Sequence, residues 1–561
     1  MKKIIYQVLP RLFGNGNEKC VKNGTIRQNG CGKLANFTPL ALLKIKELGV
    51  NYIWYTGIIE HATQTDYSRY GIQTDHPAVV KGKAGSPYAI KDYYDVDPDL
   101  AMNVPGRMHE FETLVERTHQ AGLKMIIDFV PNHVARQYHS DHLPAGEKQL
   151  GETDQTDFAF NPTNNFYYIP NTELQGQFDM QGEAPLPYHE YPAKATGNDK
   201  FDAYPGQNDW YETVKLNYGI DYQSGWQRYF NPVPDTWHKM LHILLFWAGK
   251  HIDAFRCDMA EMVPVEFWEW AIPQVKAQFP DIEFIAEVYN PAQYRDYIHR
   301  GHFDYLYDKV GLYDTLFAII QGRQSATAIS GCWQQVGDIQ NHMLNFLENH
   351  DELRIGSRFF ANDPCKAIPA LVVSACLNTN PMMIYAGQEL GEAGMDEEGF
   401  SGQDGRTTIF DYWSPDTLRR WYHGGAIDGK LLTREEKALL KVYTRVLTLC
   451  NSEAAIRDGQ FFDLTYANVG GWRYNEHRQY AFVRKADKEV IFIIVNFDEN
   501  PADIAVNLPT HLFEYFQMPE MEHVKAHELL NGKTEIINVS PCHAMDVVIP
   551  GYGAKLLKIK M

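Results

Sequence analysis

The feature that most constrains the fold is a regular alternation of short apolar runs with segments of helical length. Runs that are apolar almost throughout are typical of strands buried on both faces of a parallel sheet. Eight such runs occur, at residues 4–9, 50–55, 123–130, 252–255, 282–288, 303–307, 343–347 and 381–386. Eight alternating β and α units predict an α/β fold with a closed (β/α)₈ TIM barrel rather than an open doubly wound sheet.

Helix-capping residues mark several of the segments between these runs. Thr38 before Pro39 is typical of an N-cap and a first helical position, and Gly49 is typical of a helix end. Thr433 and Glu436 have the spacing of a capping box, which predicts the last barrel helix over residues 433–450.

Two stretches depart from the alternation. Residues 134–232 are rich in Asp, Asn, Tyr and Trp without periodicity, which predicts a small domain inserted after the third strand. From about residue 455, short alternating strands predict an antiparallel β-sandwich. We therefore expect a barrel over residues 1–133 and 233–454, an inserted domain over 134–232 and a C-terminal domain over 455–561.

Composition excludes several classes of partner. A formal net charge of −19 disfavours nucleic acid and anionic membranes, which need a basic face. The eight cysteines include no CxxC pair and are expected to be reduced. Gln7, Pro10 and Arg11 interrupt the first apolar run, and no run reaches the roughly 18 apolar residues of a spanning helix. We expect a cytoplasmic protein.

Arg256 and Asp258 end the fourth predicted strand. They are two residues apart, so their side chains point to the same side of the strand. A fixed guanidinium favours the ionised form of a nearby carboxyl, which suits a nucleophile, although an isolated Arg-x-Asp pair is more often a structural ion pair.

Polar residues also lie at the ends of other predicted strands: Asp128 and His133 at the end of the third, Glu287 on the fifth and Asp351 after the seventh. These ends meet at one face of a barrel. The apolar residues before Glu287 favour its protonated form, and a charged carboxylate beside a protonated carboxyl is what cleavage of a glycosidic bond needs. A metal site is less favoured, because the charge of Arg256 repels a divalent ion.

Four segments carry a resemblance to a known family. They are DFVPNH at 128–133, IDAFRCD at 252–258, FIAEV at 284–288 and FLENHD at 346–351. In order and spacing they resemble the four signature regions of the α-amylase family of glycoside hydrolases, family 13. The similarity extends from residue 4 to the end of the chain.

The resemblance implies roles for individual residues. Asp258 matches the nucleophile of a retaining reaction, Glu287 the general acid and base, and Asp351 the carboxylate that stabilises the transition state. Four further residues match the family's substrate-binding positions: Tyr88, His133, Arg256 and His350. The implied partners are α-linked glucose oligomers or polymers.

One departure from the family pattern concerns calcium. Many members bind Ca²⁺ through the asparagine that matches Asn132 and two further residues, but Lys215 and Met262 occupy the positions that match those two. We expect no cofactor and no calcium at that position, with the Lys215 ammonium in its place. Another calcium site is left open, and Asn15 and Asn17 are the weak candidates because an Asn-Gly-Asn loop is more often a turn. Lys215 is similar to the neopullulanase, cyclomaltodextrinase and oligoglucosidase side of the family.

Three functions fit these residues. A retaining α-glucoside hydrolase is favoured, a transglycosylase with the same covalent intermediate is the alternative, and a non-catalytic family member is the third. Linkage preference, chain-length preference and oligomeric state are not determined by the sequence.

Overall fold

The computed structural model describes residues 1–561, and its centre is a closed barrel of eight parallel strands. Each strand pairs with the next along the chain, and the eighth pairs with the first, so the predicted (β/α)₈ barrel is confirmed. The strands are β1 Ile4–Val8, β2 Tyr52–Tyr55, β3 Lys124–Phe129, β4 Ala254–Cys257, β5 Glu283–Ala286, β6 Tyr305–Tyr307, β7 Met343–Phe346 and β8 Met382–Tyr385.

Side chains of the barrel strands alternate between two apolar cores. Ile126 and Ala254 belong to a small cluster inside the barrel, whereas Ile127 and Phe255 belong to the large core between the strands and the surrounding helices. This alternation explains why each run is apolar throughout. It also fixes which residues beyond the strand ends point into the barrel mouth.

Ten principal helices accompany the barrel: α1 Pro39–Glu47, α2 Arg107–Gln120, α3 Asp235–Ala248, α4 Val265–Gln278, α5 Tyr294–His299, α6 Asp314–Ile320, α7 Ala328–Gln335, α8 Ile368–Cys376, α9 Asp416–Tyr422 and α10 Arg434–Ser452. The capping predictions are confirmed, because the Thr38 side chain accepts from Ala41 N and Thr433 forms a capping box with Glu436. None of the helices has both the length and the apolar character needed to cross a membrane.

The segment between β3 and α3 consists mainly of loops held by short antiparallel pairs. These are His133–Ala135 with Thr213–Lys215, Tyr168–Ile169 with Ala193–Lys194, and Ile220–Asp221 with Gln227–Arg228. A further pair, Ile59–His61 with Ile90–Val96, follows β2. The limits predicted for the inserted domain stay a prediction.

The C-terminal region is antiparallel, as predicted. One sheet has six strands in the spatial order Gln460–Asp463, Gln479–Ala486, Glu489–Asn496, Gly553–Lys560, Met521–Glu528 and Thr534–Val539. A second sheet pairs Ala502–Val506 with Met545–Ile549. Phe492 of the first sheet shares one apolar core with Ile504 and Val547 of the second, so the two sheets form two layers.

Candidate active site

Arg256 lies at the centre of a buried cluster of carboxyl groups at the barrel mouth. Ala254 lies inside the barrel, so alternation along β4 points Arg256 inward as well. The Arg256 Nη1 donates to Asp258 Oδ1 at 2.8 Å and to Asp128 Oδ1 at 3.2 Å. Its Nη2 donates to Glu287 Oε2 at 2.6 Å. One guanidinium therefore joins carboxyl groups from three strands.

Aromatic rings enclose this guanidinium. Its Cζ lies 5.2 Å from the Trp54 ring centroid, 5.3 Å from that of Tyr88 and 5.6 Å from that of Tyr307. Burial disfavours the charged form, but Glu287 and the other negative groups outweigh burial and raise the pKa of Arg256. The guanidinium therefore stays charged, and the surrounding rings and carboxyl groups fix its position.

Asp258 is 6% exposed, and its ionisation is governed by opposing effects. Burial raises the pKa of Asp258 well above its ordinary value, with further contributions from the carboxyl groups of Glu287 and Asp351. Arg256 opposes this shift, as the sequence led us to expect, but does not overcome it. Burial therefore favours retention of a proton among the carboxyl groups of the pocket.

Glu287 follows β5 and is 2% exposed. Besides Arg256, its carboxylate accepts from Met259 N at 2.8 Å and from the Tyr289 hydroxyl. Met259 has a φ of 43°, a left-handed conformation that is uncommon for a residue with a side chain. The turn after β4 thus aims a backbone N–H at Glu287.

Asp351 lies on the loop after β7. Its Oδ2 lies 3.0 Å from His350 Nε2, and its backbone N–H donates to Asn349 Oδ1 at 2.9 Å. The Asp351 side chain is 43% exposed; partial desolvation acts to raise its pKa, but His350, Arg256 and Arg406 outweigh this effect and lower the pKa. Asp351 therefore ionises more readily than Asp258.

His350 and Tyr88 hold each other in place. The Tyr88 hydroxyl lies 2.6 Å from His350 Nε2, and their rings stack with centroids 5.1 Å apart. Gln7 Nε2 lies 2.7 Å from the other ring nitrogen of His350.

His133 lies across the pocket, at the start of the inserted segment. Its ring centroid is 5.2 Å from that of Trp210. Burial, together with the positive charges of Lys215 and Lys81, lowers the pKa of His133 to about 3. This histidine is neutral at ordinary pH and suits hydrogen bonding to uncharged hydroxyl groups.

A cavity of about 330 Å³ collects these groups. Five of the seven predicted site residues line it: Tyr88, His133, Asp258, Glu287 and Asp351. The other two, Arg256 and His350, lie behind that lining and contact its members. The structure thus brings these seven residues together, and their individual roles stay a prediction.

Other residues of the cavity were missed by the sequence analysis. They include Lys81, Glu212, Tyr289 and Phe410. Tyr289 is two residues beyond Glu287, so the alternation that selected Asp258 beside Arg256 would have found it. Lys81 and Glu212 lie in aperiodic loops and gave no signal.

Lys215 is buried among oxygen atoms. Its Nζ is 2.7 Å from Asp199 Oδ1 and 3.4 Å from the Met262 carbonyl, and it also donates to Asn132 Oδ1. Burial lowers the pKa of Lys215, an effect that Asp199 opposes. This arrangement fits an ammonium group in the place of a bound cation, and the calcium expectation stays a prediction.

Asn15 and Asn17 use their side chains within the N-terminal loops. Asn15 Nδ2 donates to the carbonyls of Asn29 and Trp413, both at 2.9 Å, and Asn15 Oδ1 accepts from Asn17 N at 3.2 Å. Asn17 Nδ2 donates to Gln28 O at 2.6 Å. Hydrogen bonds of this kind, from asparagine side chains to nearby backbone groups, are typical of turns.

Comparison with known proteins identifies the family of the chain. The family profile described as alpha amylase, catalytic domain, matches residues 7–459. A cyclomaltodextrinase from Bacillus sp is 20% identical over 523 residues, covering 88% of this chain and 73% of that protein. The intracellular maltogenic amylase of Bacillus subtilis is 22% identical over 402 residues, covering 69% of this chain and 55% of that protein. Of a maltosyltransferase from Cereibacter sphaeroides, by contrast, the chain spans only 31%.

Solved structures share the whole architecture. A noncanonic maltogenic α-amylase from Thermotoga neapolitana has a TM-score of 0.62 at 17% identity, with 100% of this chain and 99% of that chain covered. An α-amylase from Geobacillus thermoleovorans, complexed with acarbose, has a TM-score of 0.64 at 19% identity, with 100% and 98% covered. Because the family profile matches most of its length, the chain belongs to the α-amylase family of glycoside hydrolases.

Proposed function

We propose that this protein hydrolyses α-glucosidic bonds in maltooligosaccharides with net retention of configuration at the anomeric carbon. The observation that carries the proposal is that Asp258, Glu287 and Asp351 line one small cavity. Asp258 and Glu287 both accept hydrogen bonds from the guanidinium of Arg256. Retaining glycosidases need two carboxyl groups close enough for one to attack while the other donates a proton.

In the first step, an Asp258 carboxylate oxygen attacks the anomeric carbon. The bond from that carbon to the glycosidic oxygen breaks, and Glu287 gives its proton to the departing oxygen. The proton held among the buried carboxyl groups supplies the acid. Arg256 donates to both carboxyl groups, so it balances the charge of Asp258 when the proton resides on Glu287.

In the second step, water attacks the same carbon from the side that the leaving group vacated. Glu287 now accepts a proton from this water, and the ester bond to Asp258 breaks. The Tyr289 hydroxyl and the Met259 N–H that hold Glu287 keep the carboxylate directed at the site where water must sit.

The remaining groups bind the sugar that is cleaved. Asp351 is a readily ionised acceptor for two hydroxyl groups, and neutral His133 donates or accepts without placing a second cation beside the developing positive charge of the ring. The Tyr88 ring provides an apolar face against which a sugar ring stacks. These properties support a neutral, hydroxyl-rich substrate.

A sugar in place of water would give transglycosylation. The name of one relative, a maltosyltransferase, supports keeping this as a second candidate. Product analysis by chromatography separates the two functions, because transfer lengthens part of the substrate and the proportion of lengthened product rises with added acceptor.

The resemblance to an intracellular maltogenic amylase supports an intracellular site of action. Activity recovered from the cell interior rather than from the medium would bear this out.

The decisive experiment is a substrate screen with matched variants. Maltose, isomaltose, maltoheptaose, cyclodextrin, pullulan and starch are incubated with the wild type, Asp258→Asn and Asp253→Asn. Asp253 precedes the same strand but accepts from Met125 N and lies outside the pocket, so it serves as the control. We expect Asp258→Asn to lose activity by a factor on the order of 10⁴ or more and Asp253→Asn to retain it.

Two further readings test the stereochemistry and the intermediate. Proton NMR of the first product shows the α-anomer if configuration is retained. A 5-fluoro-α-glucosyl fluoride labels Asp258, and mass spectrometry of the digested protein locates the ester. Full activity of Asp258→Asn, or a β-anomer as first product, would overturn the proposal. A wild type inactive on every substrate would point to a non-catalytic family member.

A further inference from the structure

The pocket has two chemically different ends. Glu287 and Tyr289 follow β5, whereas Lys81 lies on the loop after β2 and Phe410 lies in the region after β8. In the closed barrel β8, β1 and β2 are neighbours, and β5 lies opposite them. The proton donor of the proposed reaction stands on the leaving-group side, so the opposite end receives the non-reducing part of the substrate.

An ion pair closes that opposite end. Lys81 Nζ lies 2.9 Å from Glu212 Oε1, and the two side chains are only 11% and 5% exposed. The ammonium also lies 5.5 Å from the centroid of the Tyr211 ring and 5.7 Å from that of Phe410. We call Lys81, Glu212 and Phe410 the end wall.

Backbone contacts anchor the end wall. Ala84 N donates to Phe410 O at 3.0 Å, which joins the loop after β2 to the region after β8. A Cβ on Gly82 would lie 2.2 Å from the same carbonyl, so this close approach requires glycine. Arg136 Nε donates to Tyr211 O at 2.7 Å and fixes the segment that carries Glu212.

One oxygen of the end wall has no partner. Glu212 is only 4% exposed, and its buried Oε2 accepts no hydrogen bond. A buried carboxylate oxygen left unpaired costs free energy, and a donor that arrives with a ligand removes that cost. Because Glu212 lines the cavity, a hydroxyl group of a substrate at the end wall is a suitable donor to this carboxylate.

We propose that Lys81 and Glu212 bind hydroxyl groups of the terminal non-reducing sugar and restrict cleavage to chain ends. The proposal rests on the function proposed above. Glu212 accepts from one hydroxyl while Lys81 donates to the oxygen of a neighbouring one. Only a chain end has no further sugar at that position, so an interior segment of a glucan meets the end wall instead of passing through.

The first test compares chain ends. Maltoheptaose carrying a nitrophenyl group at its reducing end is offered with a free non-reducing end or with that end blocked as a 4,6-O-ethylidene acetal. Chromatography follows the labelled products. We expect wild type to shorten the free chain stepwise from its unlabelled end and to cleave the blocked chain at least about 100-fold more slowly.

Two variants probe the end wall itself. Glu212→Gln keeps the shape and should lower kcat/KM on the free chain about 10- to 100-fold, the usual effect of losing a hydrogen bond to a charged group. Lys81→Ala/Glu212→Ala removes both charges together and should admit the blocked chain, so the free-to-blocked ratio falls towards one. Lys83→Met is the control, because Lys83 pairs with the exposed Glu183. Wild type that cuts interior bonds of the blocked chain would overturn the proposal.

A binding measurement separates this proposal from the catalytic one. Calorimetry with maltotriose uses Asp258→Asn, which retains the pocket, with and without Glu212→Gln. A loss of affinity of about tenfold or more supports the end wall even if no substrate is ever cleaved, in which case only the catalytic proposal fails. Unchanged affinity, with unchanged thermal unfolding of both proteins, would refute the role of Glu212.

Discussion

Replacement of Arg256 by Met tests the electrostatic account of the pocket. The guanidinium is fully buried and donates to Asp128, Asp258 and Glu287. Met fills a similar volume but leaves three carboxyl groups without their cation. Breaking a buried ion pair by removing one partner typically costs about 3–5 kcal/mol.

The cost should depend on pH. Burial already raises the native pKa values of Asp258 and Asp128, and Arg256 opposes both shifts, so without the guanidinium these two pKa values rise further. A carboxyl with a raised native pKa contributes stability at low pH and loses that contribution as pH rises above the unfolded value. The destabilisation by Arg256→Met should therefore be largest at pH 8 and less than half as large at pH 5.

Thermal unfolding measures this difference. Unfolding entropy near 2.1 cal/mol/K per residue gives about 1.2 kcal/mol/K for 561 residues that unfold as one unit. A loss of about 3–5 kcal/mol thus lowers Tm by about 2.5–4 °C at pH 8. Activity on maltoheptaose should fall at least about 100-fold, because both catalytic carboxyl groups lose their common anchor.

Arg484→Met is the matched control. Arg484 is also fully buried, but its guanidinium donates only to carbonyl oxygens, including those of Ala455 and Leu377. Its loss should lower Tm without a dependence on pH between 5 and 8. If Arg256→Met destabilises equally at both pH values, as Arg484→Met is expected to do, the account of the carboxyl cluster is wrong.

Two further variants test single contacts. The native pKa of His133 is about 3, whereas an unfolded histidine has a pKa of about 6.5. As pH falls below about 6.5, the unfolded chain binds a proton at this residue that the folded chain does not, and the free energy of unfolding decreases. Urea unfolding measures the free energy of unfolding at pH 6.5 and at pH 4.5. Between these two pH values, this free energy should fall by roughly 2–3 kcal/mol less in His133→Gln than in the wild type. An equal fall in both proteins would contradict the low pKa of His133. Tyr289→Phe removes the hydroxyl that contacts Glu287 and should lower kcat about tenfold or more with little change in KM. A rise in KM alone would instead assign Tyr289 to substrate binding.

The barrel was predictable because each of its strands and helices has a local sequence pattern. A strand buried on both faces must be apolar at every position, and a helix start needs a capping group, as at Thr38. The order of strands in a parallel barrel follows the chain, so the residues beyond the strand ends could be assigned to one face. Asp258, Glu287 and Asp351 lie together in the pocket for this reason.

Other features depend on loops that meet only in the folded chain. Lys81 and Glu212 belong to segments without periodicity, and nothing near either residue in the sequence indicates the other. The balance at Asp258 was equally hidden: the sequence identified the nearby guanidinium, but the degree of burial decides the direction of the pKa shift. Pairings across loops and the extent of desolvation are the quantities that a single sequence does not encode in its local pattern.

Lys215 offers a test of whether a side chain takes the place of a metal ion. Its ammonium contacts Asp199, Asn132 and the Met262 carbonyl, a set of oxygen donors that suits a hard cation. In Lys215→Ala, Asp199 loses its partner. Because the Asp199 side chain is 34% exposed and partly screened, the usual cost of about 3–5 kcal/mol for a broken buried pair is an upper bound.

The prediction concerns recovery by calcium. The Tm of the wild type should be insensitive to millimolar Ca²⁺ or a chelator, because the ammonium fills the site. Lys215→Ala should have a lower Tm that rises again with Ca²⁺, and Lys215→Ala/Asp199→Asn should lose this recovery. Since three protein oxygens are fewer than the six to eight that Ca²⁺ prefers, recovery should be partial. The Tm gain with Ca²⁺ should be larger for Lys215→Ala than for the wild type, and equal gains would mean that the ion does not enter the space that the Lys215 ammonium leaves.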